Sequence, residues 1–263
     1  MKIRSKLVLY SILAATLTLA IAAERVSRAA SPSGADIARK AAAQLSGYGD
    51  QQASLKMILK NAHGNVATRA IRFRTLEDKG GQSYALIIFD SPADVKGTAL
   101  LTHDKRGGDD DQWLYLPALR RVRRISSSNR TGRFVGSEFS YEDLSGYDAA
   151  DYHWKRLADR GGHYVIEARP KRSGSGYSRR VLLVSKKGYR IEQITFFDRK
   201  NARVKTLSYS RFSRPDGKHE RALRWTMVNH ESGKSTVLEF SNFRFNQGLT
   251  VSQFSKSRLR RLR

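Results

Sequence analysis

Apolar and polar residues alternate through most of the chain after residue 50, which predicts β-strands. In Ala53–Lys60, for example, Leu55, Met57 and Leu59 share one face. A period of two residues is typical of strands with one buried face. The predicted strands are Ala53–Lys60, Val66–Thr75, Tyr84–Asp90, Thr98–His103, Gln112–Leu116, Arg120–Ile125, Tyr152–Ala158, His163–Arg169, Arg179–Ser185, Tyr189–Asp198, Arg203–Phe212, Leu223–Glu231 and Ser235–Phe245.

Turn signals separate these strands at short intervals, among them Gly80-Gly81, Gly161-Gly162 and Pro215-Asp216-Gly217. Strands of this length and spacing, with no alternating helices, predict one antiparallel sandwich or barrel. One helix is expected ahead of the sheet, at Asp36–Leu45, where alanine is frequent and apolar residues recur at helical spacing. The sequence therefore predicts a mainly β fold with a short N-terminal helix.

Two segments depart from the strand pattern. Ser126–Gly146 is too long and too irregular for a strand, and long internal loops are often functional or carry their own helix. Ser252–Arg263 carries four arginines, and it is expected to be a short basic helix or a frayed end.

Several strands are apolar on both faces. In Tyr84–Asp90, Tyr84, Leu86 and Ile88 alternate with Ala85, Ile87 and Phe89, and the run Val181–Val184 is wholly apolar. A strand of a simple sandwich needs one apolar face. Such a sheet is either covered on both sides or curved around an apolar pocket, and the pattern alone does not choose between these alternatives.

The N-terminus carries the features of an export signal. Lys2, Arg4 and Lys6 precede the uncharged run Leu7–Ala22, which ends in the small residues of Ala20-Ile21-Ala22. This order predicts a secretory signal peptide cleaved near Ala22, followed by one domain over residues 23–263. The alternative is a retained membrane anchor, although the run is shorter than the about 20 apolar residues that span a bilayer.

The composition narrows the function classes. The 263 residues have no cysteine, so no disulfide can help to hold an exported domain together. The formal net charge is +25, which in a cytoplasmic protein would suggest nucleic acid. Export argues against a nucleic-acid partner. The remaining explanations of the charge are binding to anionic membrane surfaces, binding to acidic partners, or a basic surface that is only solvated.

Motifs for catalysis are absent from the sequence. None of the six histidines has a metal-binding spacing, and there is no nucleophile elbow or phosphate-binding loop. Asp109–Asp111 could hold a hard cation, although an acidic loop before a strand is the commoner explanation. Glu138, Glu142 and Asp143 could act as acid or base groups, but no partner for them is evident. The sequence therefore predicts a binding protein without a cofactor rather than an enzyme.

Blocks of sequence resemble one family. They are Ser91–Thr98, Asp110–Pro117, Arg121–Ile125, Gly136–Leu144 and Phe197–Lys200. Together they are similar to the exported LolA-like proteins known as outer-membrane lipoprotein-sorting proteins, and the resemblance covers most of the chain after the signal.

The resemblance implies an incomplete antiparallel β-barrel whose open side is plugged by helices, around an apolar cavity. It implies a periplasmic carrier of lipid or acylated lipoprotein, which would receive cargo from an RND-type exporter of the inner membrane. In this interpretation Ser126–Gly146 is the plug. The residues expected at the cavity or plug, if they do not merely pack the barrel end, are Trp113, Tyr115, Leu116, Phe134, Phe139, Tyr141 and Leu144.

Arg120, Arg121, Arg123 and Arg124 form a dense basic cluster. The cluster could bind a lipid headgroup, a membrane surface or an acidic transporter face. It could equally pair within the chain, with Asp109–Asp111 or Glu138–Asp143. An envelope-tethering module that binds anionic membranes through this basic face is the alternative function.

Overall fold

The computed structural model describes residues 31–105, 108, 110–145 and 148–261. The predicted export signal lies outside the described residues. The chain divides into an N-terminal unit, Met1–Ser33, and a compact unit, Gly34–Arg263, to which the following description refers. In the part of the chain that the structure describes, no helix has the length and apolar character needed to cross a membrane.

The secondary structure follows the predicted pattern closely. A single α-helix, α1 (Gly34–Ala43), precedes the sheet in the described residues. The strands are β1 (Asp50–Lys60), β2 (Val66–Glu77), β3 (Ser83–Ser91), β4 (Ala99–Asp104), β5 (Asp111–Leu116), β6 (Arg121–Ile125), β7 (Tyr152–Arg156), β8 (His163–Pro170), β9 (Tyr177–Ser185), β10 (Ile191–Asp198), β11 (Arg203–Ser213), β12 (Arg221–Asn229) and β13 (Ser235–Phe245).

All thirteen strands form one antiparallel sheet in the order β6-β5-β4-β3-β2-β1-β13-β12-β11-β10-β9-β8-β7. The first and last strands pair in the middle, where Leu55 of β1 lies opposite Phe240 of β13. Laid flat at about 4.8 Å between strands, the sheet would be about 58 Å wide. Side chains from β4 and β9 nevertheless share one apolar cluster, so the sheet is strongly curved. It is not closed, which confirms the predicted incomplete barrel.

The inner face carries the main core. Ile37, Ala38 and Ala41 of α1 are buried against it, and the helix packs on β7 and β8. Gly34 permits this approach, because a Cβ at that position would lie 2.8 Å from the backbone nitrogen of Arg156. The helix thus covers the end of the sheet where β7 would otherwise be exposed.

The outer face of β3 and β4 has a core of its own. Tyr84, Leu86 and Leu101 are buried there by Phe254 and Leu259 of the C-terminal segment, each of which is 1 % exposed. The segment forms two short 3-10 turns, Val251–Phe254 and Arg258–Arg261, so its described part is docked rather than frayed. Both faces of β3 are therefore covered, which accounts for its apolar pattern.

The segment predicted as a plug lies on the inner face. It contains the 3-10 turns Phe134–Gly136 and Tyr141–Leu144, and its described residues form no α-helix. Ser140 caps the second turn, because its hydroxyl accepts from the Asp143 N–H while the Asp143 carboxylate accepts from the Ser140 N–H. Short turns suffice because buried side chains, described below, fasten the segment to the sheet.

Candidate functional site

An apolar cavity of about 210 Å³ lies on the inner face of the sheet. Leu55, Phe73, Trp225, Leu238 and Phe240 supply most of its apolar wall, from β1, β2, β12 and β13. An apolar cavity of about 150 Å³ is already large enough to bind benzene. The space therefore accommodates an apolar group of at least that size.

Aromatic rings build one side of the cavity. The Phe240 ring lies 5.0 Å from the Trp225 ring and 5.8 Å from the Phe73 ring, measured between centroids. The Tyr209 ring makes an edge-to-face contact with Trp225, with 5.3 Å between centroids. Burial raises the pKa of the Tyr209 hydroxyl. Rings at these separations are in favourable contact, so this wall is preformed.

A wider outer pocket of about 700 Å³ adjoins the cavity. The two share Tyr48, Ser83 and Asp104 in their walls, so the outer pocket forms the mouth of the inner one. The mouth lies between the C-terminal end of α1 and the turn that joins β2 to β3. Burial raises the pKa of the Tyr48 hydroxyl to about 12, so this side chain stays neutral at physiological pH.

The floor of the cavity is fixed by a buried ion pair. Lys205 Nζ of β11 lies 2.5 Å from Asp143 Oδ2 of the plug, and the two side chains are 9 % and 1 % exposed. The Tyr177 hydroxyl donates to Asp143 Oδ1 at 2.9 Å. Although burial opposes ionisation, Lys205 and Arg180 nearby hold the pKa of the Asp143 carboxyl below its ordinary value. Asp143 is therefore a charged anchor of the plug.

A second anchor joins the plug to β9. Arg180 donates to Glu142 Oε1 at 2.9 Å, and the Gly176 N–H donates to Glu142 Oε2 at the same distance. The Ser175 hydroxyl also donates to this carboxylate. Nothing local in the sequence around Ser175 and Gly176 indicates that a distant carboxylate lies against them.

Glu138 makes a third anchor. Its carboxylate accepts from Asn229 Nδ2 at 2.7 Å and from Arg133 at 3.1 Å, and its N–H donates to the Thr236 hydroxyl. The three acidic residues that the sequence offered as acid or base candidates, Glu138, Glu142 and Asp143, are thus all held by donors of the protein itself. Their arrangement fastens the plug over the sheet.

The structure divides the predicted cavity residues into two groups. Phe134 and Phe139 are fully buried in the inner core, where Phe134 packs 5.6 Å from Phe89, and Leu116, Tyr141 and Leu144 pack against the same core. Of the predicted residues, Leu144 alone lines the cavity just described. Trp113 and Tyr115 lie on the opposite face, against the outer core, because the strand alternation of β5 turns them away from Leu114 and Leu116.

The predicted arginine cluster is exposed on and beside the edge strand β6. Arg124 pairs with Asp111, whose other oxygen binds Lys105, and these cations lower the pKa of the Asp111 carboxyl. Within the described residues, Arg120, Arg121 and Arg123 form no ion pair. The turn Arg258–Arg261 packs against β6 and adds further arginines to this side of the molecule.

Sequence reasoning missed most of the cavity wall. Phe73, Trp225 and Phe240 are each unremarkable apolar positions in alternating strands. What unites them is the pairing of β1 with β13, two strands separated by nearly the whole domain.

Comparison with known proteins identifies relatives of this chain among protein families and solved structures. A family model described only as an uncharacterized protein matches residues 81–261. A search of curated proteins finds no match to the sequence.

Three solved structures share the fold. A domain from Vibrio parahaemolyticus, described as that of an outer-membrane lipoprotein-sorting protein, is 44% identical, with a TM-score of 0.83 over 86% of this chain and 98% of that one. A DUF1329 family protein from Desulfovibrio piger is 33% identical, with a TM-score of 0.80 over 86% and 97%. A LolA superfamily protein from Nitrosomonas europaea, 19% identical with a TM-score of 0.68 over 86% and 99%, shares the fold. The chain belongs to the LolA-like family of outer-membrane lipoprotein-sorting proteins.

Proposed function

We propose that this protein is a periplasmic carrier that binds a lipid or the acyl chain of a lipoprotein in the inner cavity and moves it between membranes. The observation that carries the proposal is the aromatic-lined cavity of about 210 Å³ with its open mouth, in a member of a lipoprotein-sorting family. The proposal assigns the protein a binding role and no catalytic one.

The energetics of an acyl chain explain why such a site suits a carrier. Each methylene exposed to water costs about 0.8 kcal/mol, so an unshielded chain does not leave a membrane readily. A cavity that buries part of the chain offsets part of this cost, while an incomplete enclosure keeps release possible. Phe240, Trp225 and Leu144 supply the apolar contacts, and the anchored plug keeps the cavity from collapsing.

Binding of a fluorescently labelled amphiphile with one acyl chain and an uncharged head tests the proposal directly. Ala85 of β3 faces the cavity, so Ala85→Phe fills the space without changing a charge. We expect saturable binding by the unaltered protein and a loss of at least about tenfold in affinity for Ala85→Phe. Native mass spectrometry of protein purified without detergent should show a bound lipid that this variant lacks.

Ala202→Phe is the matched control, because Ala202 is exposed in the turn between β10 and β11. It should bind like the unaltered protein. Equal binding by both variants would place the ligand elsewhere and overturn the proposal, and so would a protein that binds no acyl chain at all.

Delivery by an RND-type exporter and export to the periplasm are further parts of the proposal. The mass of the mature protein from cells would show whether residues after Ala22 begin it. Site-specific crosslinking from Arg121 and Arg123 would identify a transporter partner, with Lys187, exposed in the turn after β9, as the control position.

A second candidate function is an envelope tether that binds anionic membrane. The exposed Arg120, Arg121 and Arg123, joined by the Arg258–Arg261 turn, favour it, because clustered arginines attract anionic lipid surfaces. Vesicle flotation separates the two functions. Salt-sensitive flotation with no transfer of lipid into soluble protein supports the tether, whereas transfer supports the carrier.

A further inference from the structure

The mouth of the cavity has the opposite charge from the rest of the protein. The chain carries a formal net charge of +25, yet four carboxylates and one guanidinium line the outer pocket. The carboxylates belong to Glu77, Asp78, Asp104 and Asp148, and the guanidinium to Arg39. A negatively charged opening in a protein with a positive net charge favours the entry of positively charged ligands.

These carboxylates are held in place by neutral donors. Asp78 accepts from the Gln82 N–H at 2.9 Å and from the Tyr84 hydroxyl at 3.2 Å, and Asp148 accepts from the Ala150 N–H. Glu77 accepts from the N–H groups of residues 47–49, and Asp104 accepts from the Ser83 hydroxyl. Across the described parts of the chain, none of the four forms an ion pair, although the charge of Glu77 also acts on the Arg221 guanidinium.

The cations near the mouth offset only part of this charge. Arg39 is paired with Asp36 one turn away on α1. Arg221 lies close by but outside the lining of both pockets; it donates to Gln51 and to the Glu220 carbonyl and packs over the Tyr48 ring. Arg221 offsets part of the charge of Glu77, so the negative field at the opening is mainly that of Asp78, Asp104 and Asp148.

The Thr75 hydroxyl lies at the neck, where the mouth meets the cavity. Thr75 is 7 % exposed and lines the cavity, and its hydroxyl oxygen has no hydrogen bond of normal geometry within the described residues. Its weaker interaction is with the Tyr48 hydroxyl. A buried hydroxyl without a partner costs free energy, and a ligand donor can remove that cost. The neck thus offers an acceptor below a ring of carboxylates.

We infer that the cargo is an amphiphile with a positively charged amine head, bound with its chain against Phe240 and Trp225 and its head among Asp78, Asp104 and Asp148. The inference rests on the proposed carrier function and adds the class of headgroup to it. An ammonium group donates three hydrogen bonds and carries the charge that the mouth lacks. An anionic head would meet repulsion at the same place.

A panel of amphiphiles with one chain and three heads tests the inference. Dodecylammonium, dodecyl maltoside and dodecanoate are titrated by calorimetry below their micelle concentrations at low salt. We expect dodecylammonium to bind at least about tenfold more tightly than dodecanoate. The test is severe, because the overall charge of the protein attracts the anion.

Two isosteric variants locate the effect. Asp148→Asn keeps the oxygen that caps the following turn, and it should lower dodecylammonium affinity about two- to fivefold while leaving dodecyl maltoside unchanged. Glu231→Gln removes the same charge at the opposite end of the sheet, in the turn after β12, and should change neither.

Each outcome decides a separate point. Equal affinity for all three heads, or equal effects of the two variants, overturns the headgroup inference and leaves the carrier function standing. Tighter binding of dodecanoate overturns it as well. If none of the three amphiphiles binds, the carrier function fails, and the inference fails with it.

Discussion

The two faces of β3 receive nearly the same apolar side chains but are covered in different ways. On the outer face, Phe254 and Leu259 of the C-terminal segment pack against Leu86 and its neighbours, all of which are less than 10 % exposed. On the inner face, the plug buries Phe89 in the same manner, but farther along it leaves a cavity beside Ile87. One face is filled by the chain itself, and the other is filled only in part.

The difference shows which apolar surface is structural and which is available for a ligand. Protein interiors pack to the density of organic crystals, and voids larger than a water molecule are few. The outer core follows that rule, whereas the aromatic wall of the inner face does not. An unfilled apolar space behind a preformed opening is the usual form of a ligand site. The double-faced pattern therefore reflects both coverage and a pocket, the two alternatives that the sequence left open.

The largest loss of stability is expected when the ion pair that anchors the plug is broken. Lys205→Met leaves the buried Asp143 carboxylate without its cation, and breaking a buried pair in this way costs about 3–5 kcal/mol. Urea unfolding followed by circular dichroism measures the change. The double variant Asp143→Asn, Lys205→Met should recover more than half of the loss, and no recovery would show that the pair is not coupled.

The anchor also predicts acid sensitivity. The pKa of Asp143 is lowered in the folded protein, so its stabilisation is present above the unfolded value of about 4 and is lost as pH falls through the folded value. Stability should therefore decline more between pH values of about 5 and 3 in the unaltered protein than in Asp143→Asn. Parallel declines would contradict the anchor role.

On the outer face, Phe254→Ala should cost about 3 kcal/mol, because a fully buried ring is removed from a packed core. Acyl-chain binding should stay within about twofold, since the ring does not reach the inner cavity. Val251→Ala, in the same turn but 45 % exposed, is the control and should change stability by less than about 0.5 kcal/mol. Loss of ligand affinity in Phe254→Ala would show that the two faces are not independent.

Trp225→Ala, on the inner wall, should have the opposite effect from Phe254→Ala: a small loss of stability and a large loss of ligand affinity. Trp225 is only half-buried and already borders the cavity, so about 1–2 kcal/mol of stability is expected to be lost. Acyl-chain affinity should fall about tenfold because the main aromatic contact is removed. Titration with the uncharged fluorescent amphiphile and urea unfolding of the same preparation check both numbers, and unchanged affinity would remove Trp225 from the site.

The strands were predictable because they depend on local alternation, and each of the thirteen was found within a few residues. The incomplete barrel was predictable only through the family blocks. The cavity wall was not, since it depends on β1 meeting β13, which no local pattern specifies. The positions of Trp113 and Tyr115 illustrate the same limit, because alternation shows that they share a face but not which side of the sheet that face occupies.

The smallest expected effect sharpens the contrast between the acidic mouth and the basic exterior. Burial and the neighbouring Asp104 raise the pKa of Asp110 to about 7, so this carboxyl loses its proton in the physiological range. The Ser145 hydroxyl faces it from the end of the plug, and Arg130 and Arg124 line the adjoining cleft. As pH rises through about 7, a further negative charge appears beside Asp104. Because the folded pKa is raised, stability from this group is full below about 4 and declines up to about 7.

Affinity for a cationic amphiphile should rise over the same interval. Dodecyltrimethylammonium is the probe, because its charge does not change with pH. Between pH values of about 5.5 and 8.5 its affinity should increase about twofold in the unaltered protein. Asp110→Asn should bind it with a flat profile, and should also lose the matching decline in stability. An unaltered slope in this variant would assign the titration to another group and leave the mouth with the fixed charges of Asp78, Asp104 and Asp148 alone.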